Sequence, residues 1–469
     1  MSHKPKTIFG TTEKSNFILN MKKDTVARLV CLVLCAVPLL PLIFEAVTTV
    51  GKSYYFFLSV GLYIVGFASI LFYLISLLRA DVRLKQNNAF PVAVFLVIWA
   101  FASYYVNFLN PYEGLESAAR PMGLFTPLLG EFGRYEGFLS ILAYLGIFFL
   151  ASVVTSEKTI NKIFDCILIA GGVNAVFALL QHIPALNFPN TYKDLPTYAY
   201  KNVFISSGLT DSPIFFGGLL TLVGGVALGG CVFGNFSARR QLLYGLAGLL
   251  FFTVGLFTSS ITPLIGFGAI LVILFVISLI ISIKGNKTPL KIWGILTILI
   301  LVIFGIVLLA QGLWIRDVYI ARYDGYYLKM IVGANSSADM RSLYEAAWGD
   351  SIELIKEYPF FGVGPDSFAA VQNMKTLTFD KSYNDFLFIA VTRGLPSLIA
   401  YIVLLVISFI KNIKSMNSNI NKPQFVIFAV IFTAALAYII QSFFNASAVT
   451  VAPIFWLILG LSFCKLKRE

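Results

Sequence analysis

The chain alternates between long apolar runs and short polar connections, with one long polar interruption. About twelve runs are long enough to cross a bilayer, because about 20 apolar residues span a hydrocarbon core of about 30 Å. They cover residues 29–50, 55–78, 89–108, 138–155, 162–180, 214–234, 241–258, 261–283, 292–312, 394–410, 424–444 and 448–464. The interruption, at 313–385, carries 10 of the 23 Asp and Glu residues. The pattern predicts an all-α integral membrane protein of about twelve transmembrane helices, with one large extracytoplasmic loop between spans nine and ten.

Composition supports this fold class and predicts a simple domain organisation. The chain is 58% hydrophobic and 12% charged, whereas an ordinary soluble domain has about a quarter of its residues charged. We predict a basic cytoplasmic tail over 1–28 and one polytopic membrane domain over 29–464, which contains the loop at 313–385. The five cysteines all lie within or at the ends of spans, so no disulfide framework is expected.

The distribution of basic residues predicts the orientation. If both termini are cytoplasmic, 22 of the 35 Lys and Arg residues fall on the cytoplasmic side. Short cytoplasmic loops of membrane proteins carry such an excess. We therefore predict a multi-pass protein of the cytoplasmic (plasma) membrane with both termini in the cytoplasm. The net charge of +12 then faces the anionic lipid bilayer, and no nucleic-acid partner is expected.

The long loop contains a predicted helix followed by a turn. Apolar residues recur at mixed spacings of three and four over 340–358, with charges between them, which favours a helix. Pro359 ends it, because the residue before a proline avoids the helical conformation. Residues 360–366 then carry two glycines and a proline, a composition typical of a turn.

Five segments of the chain resemble the O-antigen ligase and polymerase family of polytopic glycosyltransferases. Residues 352–368 resemble its Glu-x-Pro-hydrophobic-x-Gly-x-Gly signature. Four further segments resemble other family motifs in the same order: 133–137, 208–217, 383–396 and 453–460. The second of these includes an Asp-Ser-Pro sequence at 211–213, which is also typical of a helix start. The resemblance covers roughly residues 130–464.

The resemblance implies a reaction and its partners. A family member transfers glycans on the outer face of the cytoplasmic membrane. The implied donor is a polyprenyl-pyrophosphate-linked oligosaccharide. The acceptor is another lipid-linked glycan for a polymerase, or a lipid core for a ligase. The resemblance implies no nucleotide sugar, no metal and no other cofactor. Proteins that assemble cell-envelope glycans are candidate partners.

Two residues depart from the ligase pattern and affect the predicted acid–base step. Tyr383 stands where the ligases have His, and Ile261 stands where they have Arg. A phenol has an ordinary pKa near 10, which makes it a poor base at neutral pH. A carboxylate of the same loops can take this role, so we predict Tyr383, Asp385 and Glu136 as the catalytic residues. Asp366 and His182 are further candidates for the base.

The predicted binding residues are arginines, polar side chains and glycines. Arg134, Arg341 and Arg322 are expected to grip the pyrophosphate, because guanidinium matches phosphate oxygens in a bidentate fashion. The alternative is that these arginines only reach lipid headgroups. The remaining predicted binding residues are Asn384, Gly362, Gly364 and Asp366. Asn384 is also a suitable helix cap, and the glycines also suit a structural turn.

Two other functions remain open at this point. A transporter or flippase of lipid-linked glycans is also polytopic, but it is expected to carry ionisable residues deep in its spans. The predicted spans six to nine, eleven and twelve have none in their interior. A catalytically degenerate relative is the second alternative, because the usual His and Arg are absent.

Overall fold

The computed structural model describes a helical protein. It describes residues 23–45, 53–78, 89–109, 126–131, 134–183, 186, 205–210, 212–234, 237–258, 260–310, 340–372, 380–420 and 422–466. Within these ranges the regular elements are α-helices, with one short 3₁₀ turn at Ser442–Phe444. The predicted all-α class is thus confirmed for the described part of the chain.

Twelve of the described helices are strongly apolar and correspond one to one with the predicted spans. They are α1 (Lys23–Glu45), α2 (Ser53–Leu78), α3 (Phe90–Leu109), α5 (Phe138–Ser152), α6 (Glu157–His182), α7 (Pro213–Phe233), α8 (Ala238–Phe257), α9 (Ile261–Ile283), α10 (Thr288–Ala310), α13 (Asp385–Ser418), α14 (Gln424–Gln441) and α15 (Ala452–Leu461). Ten of them are long and apolar enough to cross a membrane. α5 and α15 have 15 and 10 residues, so the count of twelve spans stays a prediction.

Three further helices are too short or too polar to span a bilayer. They are α4 (Thr126–Leu129), α11 (Met340–Glu357) and α12 (Phe368–Gln372). α11 confirms the helix predicted within the long loop, and it ends just before Pro359 as expected. Several predicted boundaries are wrong. α1 begins at residue 23 rather than 29, because the helix extends into polar sequence. α13 covers Asp385–Ser418 rather than 394–410, because it includes a second apolar stretch at 386–391 and a polar last part.

Side-chain caps mark where several helices begin. Ser212 accepts a hydrogen bond from the Phe215 amide at the start of α7, where Pro213 occupies the first helical position. Asn384 accepts hydrogen bonds from two amides in the first turn of α13. A side-chain oxygen at this position satisfies amide groups that have no partner within the helix. The predicted capping role of Asn384 is therefore what the structure shows.

Helix α7 lies at the centre of the bundle, where 20 of its 21 residues are buried. It packs against α8, α9 and α14. A β-carbon added at Gly225 would lie 2.6 Å from the Cα of Ala434 in α14, so a glycine is needed for the two backbones to approach this closely. A second group, formed by α2, α5 and α15, packs beside this centre.

Both groups contribute to one end of the bundle, which we call the site end. It contains the first turns of α5, α7 and α13 and the segment 442–451 between α14 and α15. The site end therefore combines residues that are about 300 positions apart in the chain.

Candidate functional site

The turn that follows α11 is held against the middle of α13 and the side of α3. The Val363 amide donates a hydrogen bond of 2.8 Å to the Val391 carbonyl, and the Leu395 amide donates one of 2.8 Å to the Pro359 carbonyl. Such contacts are available because α13 is kinked at Gly394, whose φ is +81°. The motif predicted in residues 359–364 thus joins the long loop to the bundle.

Helix α3 completes the support of this turn. The Trp99 indole donates a hydrogen bond of 3.0 Å to the Phe360 carbonyl, and the Ser103 hydroxyl donates one of 2.6 Å to the Phe361 carbonyl. Gly362 and Gly364 have φ values of +64° and +99°, a region that favours glycine. A β-carbon at Gly362 would lie 2.3 Å from the Val391 carbonyl oxygen. Protein backbone therefore occupies the space beside Gly362.

Arg134 lies at the centre of a group of acidic partners. Its guanidinium donates a 2.6 Å hydrogen bond to Glu131 and a 3.0 Å hydrogen bond to the backbone carbonyl of Asp380. Its Nε lies 3.3 Å from Oδ1 of Asp366. The other carboxylate oxygen of Asp366 accepts the amides of Glu131 and Glu136 at 2.7 and 3.2 Å. Arg134 and Asp366 therefore bind each other and the surrounding backbone.

These acidic neighbours stabilise the charged form of the Arg134 guanidinium. Burial by itself would lower the pKa of Arg134, since it penalises the charged form. The carboxylates of Asp366, Glu131 and Asp380 outweigh this effect and raise the pKa of Arg134 above its ordinary value. Arg134 is thus a permanently charged link between the 131–136 segment and the loop residues 366 and 380.

Glu136 and Lys381 form a second, closed ion pair. The Lys381 ammonium is fully buried and lies 2.8 and 2.6 Å from the two carboxylate oxygens of Glu136. It also donates to the Ser447 carbonyl, while the Val449 amide donates to Glu136 at 3.2 Å. Burial raises the pKa of Glu136 and Lys381 opposes it, for a net value of about 7.

Tyr383 is directed at a neighbouring carboxylate. It is 1% exposed, has a φ of +48°, and its hydroxyl donates a 2.6 Å hydrogen bond to Oδ1 of Asp380. Its ring packs edge to face against Tyr344 of α11. Because Asp380 also accepts from Arg134 through its carbonyl, the Tyr383 phenol helps to fix the loop segment on which the charged groups are arranged.

Asp385 and Arg393 differ from these closed pairs. Both line a small cavity of about 50 Å³ between α5, α13 and α15. Oδ1 of Asp385 accepts a 3.2 Å hydrogen bond from the Ser447 amide, and the Tyr401 hydroxyl interacts with the same carboxylate. Among the described residues, no ion pair or hydrogen bond engages the Arg393 guanidinium. Asp385 and Arg393 therefore line the same cavity without forming an ion pair with each other.

The structure brings together six of the predicted site residues: Arg134, Glu136, Asp366, Tyr383, Asn384 and Asp385. Gly362 and Gly364 lie in the adjacent turn. Arg322, Asp211 and the side chain of Arg341 lie outside the described residues. His182 lies elsewhere, where its ring stacks on Phe257 with centroids 3.9 Å apart.

Sequence reasoning did not select Lys381 or Arg393. Lys381 is one of several basic residues in the long loop, and no local pattern separates a buried lysine from a solvated one. Arg393 gives a weak signal, because it is a lone charge between two apolar stretches, 386–391 and 394–410. An ionisable residue at such a position is a candidate for function.

Comparison with protein families identifies part of this chain. Residues 246–402 match the family described as O-antigen ligase, which confirms the resemblance over about a third of the sequence. The matched segment contains α9, α10, the long loop and the first half of α13, including Tyr383, Asp385 and Arg393. The motif at 133–137 lies outside it. A comparison with curated proteins finds no match. The family match supports a multi-pass membrane glycan ligase or polymerase.

Proposed function

We propose that this chain, whose residues 246–402 match the O-antigen ligase family, transfers glycan from a polyprenyl-pyrophosphate-linked donor to a glycan acceptor. The reaction takes place on the outer face of the cytoplasmic membrane. One observation supports the proposal most strongly. Within the segment that matches the family, α13 presents a carboxylate, Asp385, to a cavity at the site end of the bundle.

Asp385 is the best-placed general base of the three predicted catalytic residues. Both carboxylate oxygens of Glu136 are engaged by Lys381, and the phenol of Tyr383 donates to Asp380. Asp385 is held on one oxygen by the Ser447 amide and lines the cavity. In this role it accepts the proton of the attacking acceptor hydroxyl.

The bond changes are those of a glycosyl transfer. The acceptor oxygen forms a bond to the anomeric carbon of the donor sugar as that carbon's bond to the pyrophosphate oxygen breaks. The pyrophosphate leaves with the bonding electrons, attached to its polyprenyl chain. Arg341 and Arg322 remain proposed contacts of the leaving pyrophosphate. Arg134 fixes the loop by its contacts with Asp366 and Asp380.

The proposal is tested by replacing Asp385 with Asn, which keeps the side-chain shape and removes the base. We expect a loss of about 10²–10⁴-fold in the rate of glycan transfer, the usual contribution of a general acid–base group. The assay measures glycan transfer by purified protein in lipid nanodiscs, with a lipid-linked repeat unit as the substrate. Lengthening of that unit indicates a polymerase, whereas transfer to a lipid core indicates a ligase.

A matched control is Glu357→Gln on α11, which also neutralises one carboxylate. Glu357 is exposed and interacts with the neighbouring Tyr358 hydroxyl, away from the cavity. We expect this variant to retain the wild-type rate. An Asp385→Asn protein that transfers glycan as fast as the control would rule out Asp385 as the base.

A further inference from the structure

Arg393 interrupts an otherwise apolar part of α13. It lies in α13 directly before the kink at Gly394, and the apolar run 394–410 begins at the next residue. On its other side lies a shorter apolar stretch, 386–391, which follows Asp385. An ionisable residue within an otherwise apolar helix is a candidate for a functional contact. Its side chain is half-buried rather than exposed.

The guanidinium of Arg393 is available, in contrast to that of Arg134. Arg134 contacts Glu131, Asp366 and Asp380. For Arg393, the described part of the chain provides no hydrogen bond and no ion pair. Asp385, which lines the same cavity, is the acidic residue that acts most strongly on Arg393, and the two form no ion pair. A half-buried arginine in this state is ready to accept an anionic ligand.

The backbone around Arg393 is fixed by the long loop. The Val363 amide binds the carbonyl of Val391, two residues before Arg393, and the Pro359 carbonyl binds the amide of Leu395, two residues after it. These contacts hold the kinked segment on both sides of Arg393. An arginine on a fixed backbone loses less conformational freedom when it binds a ligand, which favours affinity.

From these observations we propose that Arg393 binds a phosphate of the lipid-linked donor. This inference rests on the proposed function, because it assumes a polyprenyl-pyrophosphate donor. The planar guanidinium forms two parallel hydrogen bonds to phosphate oxygens, and it stabilises the negative charge that develops on the pyrophosphate as the glycosidic bond breaks. Asp385, which lines the same cavity and forms no ion pair with Arg393, remains available for the acceptor hydroxyl.

The test compares two probes, a polyprenyl pyrophosphate without sugar and the corresponding polyprenol. Binding is measured with the full chain in nanodiscs of neutral lipid. We expect wild-type protein to bind the pyrophosphate at least ten-fold more tightly than the polyprenol. Arg393→Gln should weaken pyrophosphate binding by about ten-fold or more, as for the loss of a charge-assisted hydrogen bond. It should leave polyprenol binding unchanged.

Two further variants make the result specific. Arg393→Lys should show an intermediate affinity, because lysine keeps the charge and lacks the bidentate geometry. It also provides the measurement if Arg393→Gln does not fold. Arg240→Gln removes a guanidinium that pairs with Asp165 away from the cavity and should bind both probes as wild type does.

The outcomes separate the inference from the function on which it rests. If wild-type protein prefers the pyrophosphate and the Arg393 variants bind it as tightly as wild type does, the role of Arg393 is wrong. The proposed donor class is then unaffected. Wild-type protein that binds both probes equally would overturn the proposed donor class as well. Weaker binding of polyprenol as well as pyrophosphate by the Arg393 variants would indicate a structural role and also contradict the inference.

Discussion

The charged residues at the site end fall into closed pairs and one open arrangement. Arg134 with Asp366, and Glu136 with Lys381, are in direct contact. Asp385 lines the same cavity as Glu136 and Asp366, but it forms no ion pair within the described residues. Motif positions in the sequence were sufficient to select most of these residues. They could not show the pairing, because each closed pair joins residues more than 230 positions apart and sequence periodicity reports only neighbours along one helix or strand.

The closed pair of Arg134 and Asp366 leads to a prediction about stability. The Asp366 side chain is fully buried, so Arg134→Ala leaves a carboxylate without its counter-charge. Removing one partner of a buried pair costs about 3–5 kcal/mol. Thermal unfolding in detergent should show this loss. Arg240→Ala breaks a half-exposed pair with Asp165 and should cost about 0–1 kcal/mol. Equal losses in the two variants would contradict a buried role for Arg134.

Tyr383 provides a second prediction at this scale. Its hydroxyl donates to Asp380, so Tyr383→Phe removes one hydrogen bond, with an expected cost of about 1 kcal/mol in stability. Glycan transfer by this variant should remain within about ten-fold of wild type. A phenol that moved the proton would instead contribute about 10²–10⁴-fold. An inactive, well-folded Phe variant together with an active Tyr383→His variant would show that position 383 is the proton-transfer site.

At the scale of elements, the features that are hardest to predict from the sequence are the kink of α13 and the turn at 359–364 that packs against it. The hydropathy pattern predicts only the longer apolar part of α13, because the residues at 392–394 separate it from the shorter apolar stretch at 386–391. Asn384 indicates a helix start, but a pattern of hydrophobic residues cannot distinguish a helix beginning there from a loop residue. The turn at 359–364 is recognisable as a turn. Its insertion against α13 depends on the carbonyl of Val391, which no sequence pattern marks.

This insertion predicts the effect of adding one methyl group. Gly362→Ala places a β-carbon 2.3 Å from the Val391 carbonyl oxygen at a φ of +64°. The left-handed conformation alone costs about 1–2 kcal/mol for a non-glycine residue, and the steric overlap adds to it. We expect a lower unfolding temperature and weaker glycan transfer. Gly349→Ala in α11 is the control, because no atom lies within 4 Å of the added carbon and alanine favours a helix.

For the whole molecule, the sequence was sufficient to predict the order of the apolar helices that the described residues form, because hydropathy adds up along each run. It was less informative about which helices are long enough to span. α5 begins at residue 138 as predicted and ends at 152 rather than 155, whereas α15 is shorter than predicted at both ends. At the site end, the segment before α15 turns so that the Ser447 carbonyl accepts a hydrogen bond from Lys381.

The orientation of the bundle remains a prediction and can be measured in cells. The basic residues place Ser237, before α8, in the cytoplasm, and Glu353 of α11 outside. Both positions are exposed. In a background without the five native cysteines, Glu353→Cys should react with a membrane-impermeant thiol reagent in intact cells. Ser237→Cys should react only after the membrane is permeabilised. If only the Ser237→Cys variant is labelled in intact cells, the orientation of the bundle is opposite to the predicted one. The site end would then face the cytoplasm, where the proposed transfer on the outer face could not take place.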